Sequence, residues 1–404
     1  MKKFLSVLLI AAMLTSMVSA LADDRGAKYT MEVENMTTLQ NTPDREVPYN
    51  EADLAVNPVI PGESTTTGQP LKDGLLYLPM LVQISNPSYA TKYEDPDTGK
   101  TKKTVTAGVG ERAPWGGQYA DIVYEGILYR TGQTRITFVI SDSFADDEPQ
   151  TLGPVRSARI GHVLLREEWM GGLVFHGGPE VDDNNIHAEF KRLGATEKGV
   201  VFDLAGTNKY NDFWYRISGI SSADNVNIDV IGLRNTIPET TVAEPHPFLF
   251  SDTCAYLDGG YETAYGIHMD WGHEEWISHL YYDENDNLYL RYSGPVPYMT
   301  YMDADRNEDD MEQMSFSNVI IQRVTYEYAH GNKIMPVMQA VGKGNADIFI
   351  GGRYIPGYWV RESETSPTVF FDDKGNELVL TRGRTYIAHF PVEGLIGYTQ
   401  EGLN

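Results

Sequence analysis

Short apolar runs broken by turn residues, rather than long helical stripes, set the rhythm of this chain. Leu76 to Ser85 is rich in Leu, Val, Ile and Tyr and closes on Asn86-Pro87-Ser88, the pattern of a strand entering a turn. Tyr93 to Lys103, polar around Asp95-Pro96-Asp97-Thr98-Gly99-Lys100, predicts an exposed loop or hairpin tip. Asp121 to Tyr129 and Thr134 to Ile140 are the strongest apolar segments of the middle region, and the second predicts a strand. Ile160, Val163, Leu164 and Trp169 then recur at helical spacing, and Leu173-Val174-Phe175-His176 predicts a short buried strand before Gly177-Gly178-Pro179. Strand, helix and strand in this order predict an α/β layer on a mixed sheet, with ligand-facing loops at strand ends.

From Tyr261 the pattern turns to β. Leu280-Tyr281-Tyr282 and Leu288 to Tyr292 flank the polar turn 283–287, and Thr368 to Phe371 and Leu378 to Leu380 flank 372–376, predicting two hairpins. Asp347 to Ile350 and Tyr358 to Val360 add short strands. The expected class is α+β: an N-terminal α/β domain with a mixed sheet over 75–260, followed by a β-rich C-terminal domain over 261–395.

The N-terminus follows a different rule. Lys2 and Lys3 precede an apolar run from Phe4 to Met13, and small residues lead to Ala20-Leu21-Ala22, the order of a cleaved secretory signal over 1–22. Its apolar core is shorter than the ~20 residues a membrane span needs, and no later stretch is long enough, so no transmembrane segment is expected after cleavage. Residues 23–74, with Pro, Gly and Thr clustered at 57–68, read as a polar linker. An extracellular or envelope-associated location follows, yet the single Cys254 forbids an internal disulfide and leaves stability to the core. Cys254 itself reads as a buried small residue on a helix that Ser251 or Asp252 caps.

Composition sharpens this. With 32 Lys plus Arg against 57 Asp plus Glu, a formal charge of -25 repels nucleic acid and anionic membranes. Against that background Gly153-Pro154-Val155-Arg156-Ser157-Ala158-Arg159, between a strand and a helix, stands out. Two guanidinium groups at a helix N-terminus, with Ser157 between them, favour phosphate, sulfate or carboxylate. The opposing reading is an internal ion-pair network with Asp121 and Glu125, which share a face on either a strand or a helix and could equally serve as acid and base. His176, beside Gly177-Gly178-Pro179, and His246, in Pro245-His246-Pro247, sit at expected chain corners, where ligand contacts concentrate. His268, His273 and His279 lack zincin spacing, and the acidic 303–310 run departs from a calcium loop at Glu308 and Met314, so neither a metal nor a cofactor is expected.

Ala120 to Glu125, Gly153 to Arg159, Val174 to Pro179 and Pro245 to Ser251, with the later stretches Tyr289-Leu290-Arg291, Ser317 to Gln322, Gly357-Tyr358-Trp359 and Gly383 to Ile387, occur in an order that resembles the YerB-like bacterial lipoprotein family. The resemblance spans roughly Leu76 to Pro391 and implies an α/β domain followed by a β-rich one, in an exported, envelope-associated protein of unassigned activity. The lipid-anchor Cys of many members is missing, and the stretch between Asn86 and Gln118 is longer and more polar. The function expected is binding of an anionic small ligand or a cell-wall glycan through Arg156, Ser157, Arg159, Asp121, Glu125, His176 and His246. The alternatives are an envelope hydrolase or transferase using Glu125 or His176 as acid or base, and an interaction scaffold.

Overall fold

The computed structural model describes residues 31, 33–42, 49, 54–71, 77–87, 90–94, 98–105, 113–141, 151–181, 184–273, 275–328 and 335–402. The expected signal at 1–22 lies outside the described residues. Among the described residues no helix is long and apolar enough to cross a membrane.

The chain is α+β and mostly strand, built on two sheets. The larger runs from Val201–Asp203 through Gly172–Phe175, Met80–Ile84, Thr134–Ile140 and Ile122–Ile127, then continues through Thr385–Pro391, Asn318–Glu327, Gly342–Ile350 and Arg353–Arg361 to Glu262–Thr263. N- and C-terminal halves therefore meet inside one mixed sheet, along the parallel pairing of Ile122–Ile127 with Thr385–Pro391. The smaller sheet carries Leu395–Thr399, Gly266–His273, Trp276–Asp283 and Leu288–Ser293, with Thr37–Leu39 on its edge.

The predicted helix forms at Ile160–Trp169. Arg159 caps it in extended backbone, and the helix stops where Met170 turns left-handed at φ 53°. Gly171 follows because a Cβ there would meet the Pro79 carbonyl oxygen at 1.9 Å. The helix covers one face of the larger sheet, where Trp169 donates from Nε1 to the Tyr124 hydroxyl at 3.2 Å.

Three local expectations change. Within the supposed linker, Ser64 to Thr67 are buried, and Thr66 reaches Ser141 at 2.7 Å and Asp121 at 3.3 Å, so hydroxyls rather than apolar surface secure this stretch. The hairpin at 372–376 forms but is short: Phe371 bridges Glu377 and the Leu378 N–H donates to the Phe370 carbonyl oxygen at 2.8 Å, after which Val379–Thr381 leaves to pair in parallel with Leu249–Ser251, while the other edge of Val369–Asp372 pairs with Arg353–Arg361. Cys254 stands in the turn after Leu249–Ser251 and not on a helix, its Sγ 3.4 Å from the Ile350 carbonyl oxygen.

Candidate functional site

Alternation along the strands decides which candidates meet. In the pairing of Ile122–Ile127 with Thr134–Ile140, Gly126 lies opposite Arg135 and Tyr124 opposite Thr137, so these share a face, while Asp121, Val123 and Glu125 take the other. The helix Ile160–Trp169 lies over the first face. The proposed network of Arg156 and Arg159 with Asp121 and Glu125 is accordingly not what forms.

Glu125 is fully buried between the two sheets. Its Oε1 accepts from Asn86 Nδ2 at 2.9 Å and Thr134 Oγ1 at 2.7 Å, and its Oε2 from Arg291 Nη2 at 2.7 Å and the Tyr386 hydroxyl at 2.6 Å. Arg291, itself buried, packs its guanidinium 3.7 Å from the centre of the Tyr298 ring. Asp121 accepts from the Ser141 backbone at 2.9 Å and its hydroxyl at 2.5 Å. Glu125 thus ties the two sheets together, Asp121 ties the start of its own strand to the end of Thr134–Ile140, and neither faces the arginines after Gly153.

On the helix-covered face a different cluster assembles. A recess is lined by Arg135 and Thr137, by Arg159, Gly161, His162 and Leu165, and by Tyr326 and His389. Arg135 is 4% exposed, its Nε is buried without a hydrogen-bond partner, and among the described residues no carboxylate pairs with it. Arg159, also buried, donates from Nη1 to Ser157 Oγ at 3.0 Å and the Ala158 carbonyl oxygen at 2.7 Å, and from Nη2 to the Tyr129 hydroxyl at 2.9 Å. These acceptors are uncharged, and Arg159 Nε is again buried and unpartnered. Half-buried Arg156 also has an unpartnered Nε.

Burial, then the nearby charges of Arg156 and Arg159, pull the Arg135 pKa down to about 9, with Tyr129 and then Asp224 acting the other way. Burial followed by Arg135 and Arg159 likewise holds His162 well below the ordinary imidazole range. The Arg159 backbone N–H donates to His162 Nδ1 at 3.0 Å, so the neutral ring carries its proton on Nε2 as a further donor. Space comes from Gly126, where a Cβ would meet the Tyr326 hydroxyl at 3.1 Å and His389 Cβ at 3.6 Å. Guanidinium groups, an imidazole donor and a helix N-terminus converge here, and among the described residues no carboxylate pairs with Arg135 or Arg159.

The remaining candidates lie elsewhere. His176 Nε2 accepts from Arg216 Nη2 at 3.0 Å and its ring meets Trp214 edge-on at 5.6 Å; it is tied to Arg156 through the backbone, its N–H donating to the Arg156 carbonyl oxygen at 2.9 Å. His246 lines a second recess. Arg135, His162 and His389 were not anticipated; the available signal was an arginine inside an apolar strand, at the same alternation as Thr137.

Two models of one family match: the N-terminal domain of a protein of unknown function, DUF3048, over residues 106–242, and its C-terminal domain over 267–387. The crystal structure of YerB protein from Bacillus subtilis is similar at a TM-score of 0.59 and 19% identity, covering 81% of this chain and 96% of that one. At that identity the likeness shows the fold alone. Comparison with curated proteins finds no match.

Proposed function

Because the chain belongs to the DUF3048 family and carries both of its domains, we propose from the site's chemistry that it is an exported binding protein for a small anionic ligand, seated against Arg135, Arg159 and His162 with Arg156 beside them. The observation that carries this reading is the buried Nε of Arg135, which lacks a hydrogen-bond partner in a recess also lined by Arg159. A buried, uncompensated cation costs several kcal/mol, and an anion in the recess would offset much of that. Phosphate, sulfate and carboxylate share the planar or tetrahedral oxygen pattern that guanidinium donors match. A bare glycan leaves the guanidinium charge unmet and fits this recess less well. The hydrolase reading is less well supported: Glu125 is enclosed between the sheets by Arg291, Tyr386, Thr134 and Asn86, and the Nε2 of His176, its other candidate acid or base, is taken by Arg216 at 3.0 Å.

Titration calorimetry of the secreted chain with phosphate, sulfate and citrate tests the assignment. One of these should bind to wild type, and Arg159→Ala or Arg135→Met should weaken it about tenfold or more, the scale of one charge-assisted hydrogen bond. Absence of binding by all three anions, or variants that titrate like wild type, would overturn it. Export rests on the signal-like order of residues 1–22. Intact mass should place the N-terminus of the secreted protein at Asp23, and recovery only of chain beginning at Met1 would count against export.

A further inference from the structure

The C-terminal end of the helix Ile160–Trp169 opens onto a second recess, separate from the arginine site at its other end. Trp169, Phe248 and Phe370 give it apolar walls, with the Trp169 and Phe248 rings 6.4 Å apart and edge-on. His246 lies between Pro245 and Pro247, whose fixed φ angles hold the corner. Both ring nitrogens of His246 are shielded from solvent and lack a hydrogen-bond partner. An imidazole shut away with neither nitrogen satisfied is costly, and a neutral one requires a donor and an acceptor together.

The other polar groups narrow the partner. Glu168 is committed to the Thr368 backbone N–H at 2.8 Å and to Arg361 at 3.1 Å. Asn57 Nδ2 bridges Glu377 Oε1 at 2.6 Å and the Pro247 carbonyl oxygen at 3.0 Å. Among the described residues no lysine or arginine lines the recess, while Glu168 and Glu377 do, which disfavours an anion. Hydroxyl groups both donate and accept, and a ring with an apolar face packs against aromatic walls. We infer that this recess is a second binding site, for an uncharged hydroxylated ring of the sugar class, with His246 bonded to its hydroxyls and Phe248 and Trp169 against its apolar face.

Saturation-transfer NMR on the full chain with the methyl glycosides of glucose, galactose and N-acetylglucosamine tests this. Transfer to ring protons of at least one glycoside is expected, weakened about fivefold in His246→Leu and largely retained in His246→Gln, which keeps a donor and an acceptor. Asn57→Ala, which frees the rim, provides a second variant should His246→Leu fail to fold, and it too should weaken transfer. Anion binding at the arginines, read by calorimetry, should be unchanged in each, so this site and the arginine site succeed or fail separately. Absence of transfer to all three glycosides, transfer indifferent to His246→Leu and Asn57→Ala, or transfer to cyclohexylamine in preference to the glycosides would overturn the inference.

Discussion

Arg291 and Arg135 are both buried arginines on strands, and they do opposite things. Arg291 reaches across from the smaller sheet to Glu125 at 2.7 Å and closes the core between the two halves of the chain. Arg135, on the far face of the larger sheet, meets Arg159 and Arg156 where a carboxylate would be expected. The lesson is that burial of a charge does not by itself separate structure from function. What separates them is whether the fold supplies the counter-charge.

Breaking the Glu125–Arg291 pair should give the largest effect. Glu125→Ala leaves a buried guanidinium alone and should cost about 3–5 kcal/mol in denaturant unfolding, equally with and without phosphate. Adding Arg291→Met should recover much of the loss. A single variant as stable as wild type would place Arg291 in the same class as Arg135 and dissolve the contrast.

Acid should come next, and it acts on both faces of the larger sheet. His268 and His279 meet Nδ1 to Nδ1 at 2.9 Å in the smaller sheet, and burial lowers their pKa values to about 4 and about 3, His268 adding to the shift of His279. Burial and then Arg361 lower His389, beside the arginine recess, to about 3. Each unfolded imidazole binds a proton near pH 6.5 that the folded one refuses, so stability is flat above that pH and falls as pH drops from about 6.5 toward 4. The loss approaches about 1.4 kcal/mol for each unit of separation per group. Unfolding curves from pH 7 to 4 should show it, and His279→Asn should flatten the slope; a pH-independent midpoint would exclude buried neutral histidines.

Arg135→Met sharpens the comparison from the other side. Removing an uncompensated cation should leave the ligand-free chain as stable as wild type or more so, while abolishing the rise in melting temperature that phosphate or sulfate produces. A large loss of stability in anion-free buffer would mean that Arg135 is a structural residue like Arg291.

Most of the architecture was legible in the sequence, because a helix repeat at Ile160 to Trp169 and alternating or continuous apolar runs are local signals. Long-range pairing was not. Leu378 does return beside Phe370 as a hairpin arm, but that Val379–Thr381 then pairs with Leu249–Ser251 has no local signal, and Ser64 to Thr67 look like linker because hydroxyl contacts leave no apolar trace. For the site, the Gly153 to Arg159 segment showed where arginines would gather, and the shared face of Asp121 and Glu125 was correct. Which face that was, and hence that Glu125 belongs to Arg291, depended on how two sheets stack, which no spacing encodes. Arg135 was hidden for the same reason: inside a strand, an arginine bound for a recess and one bound for a salt bridge read alike.

The smallest effect tests the recess alone. Gly126 stands between Arg135 and His389 across the sheet, and its missing side chain is what keeps the floor open. Gly126→Ala sets a methyl group 3.1 Å from the Tyr326 hydroxyl, a contact that a few tenths of an ångström of movement relieves. The Tyr326 hydroxyl is held by its bonds to the His389 carbonyl oxygen at 2.6 Å and the Ile127 N–H at 3.0 Å, so the adjustment falls partly on the recess. Stability should change by less than about 1 kcal/mol, whereas anion affinity should drop several-fold, since the methyl group takes up space beside Arg135 without touching its charge. Unaltered affinity in a folded Gly126→Ala chain would move the anion off the sheet floor toward Arg156 and the outer rim, keeping the arginines but not this depth of binding.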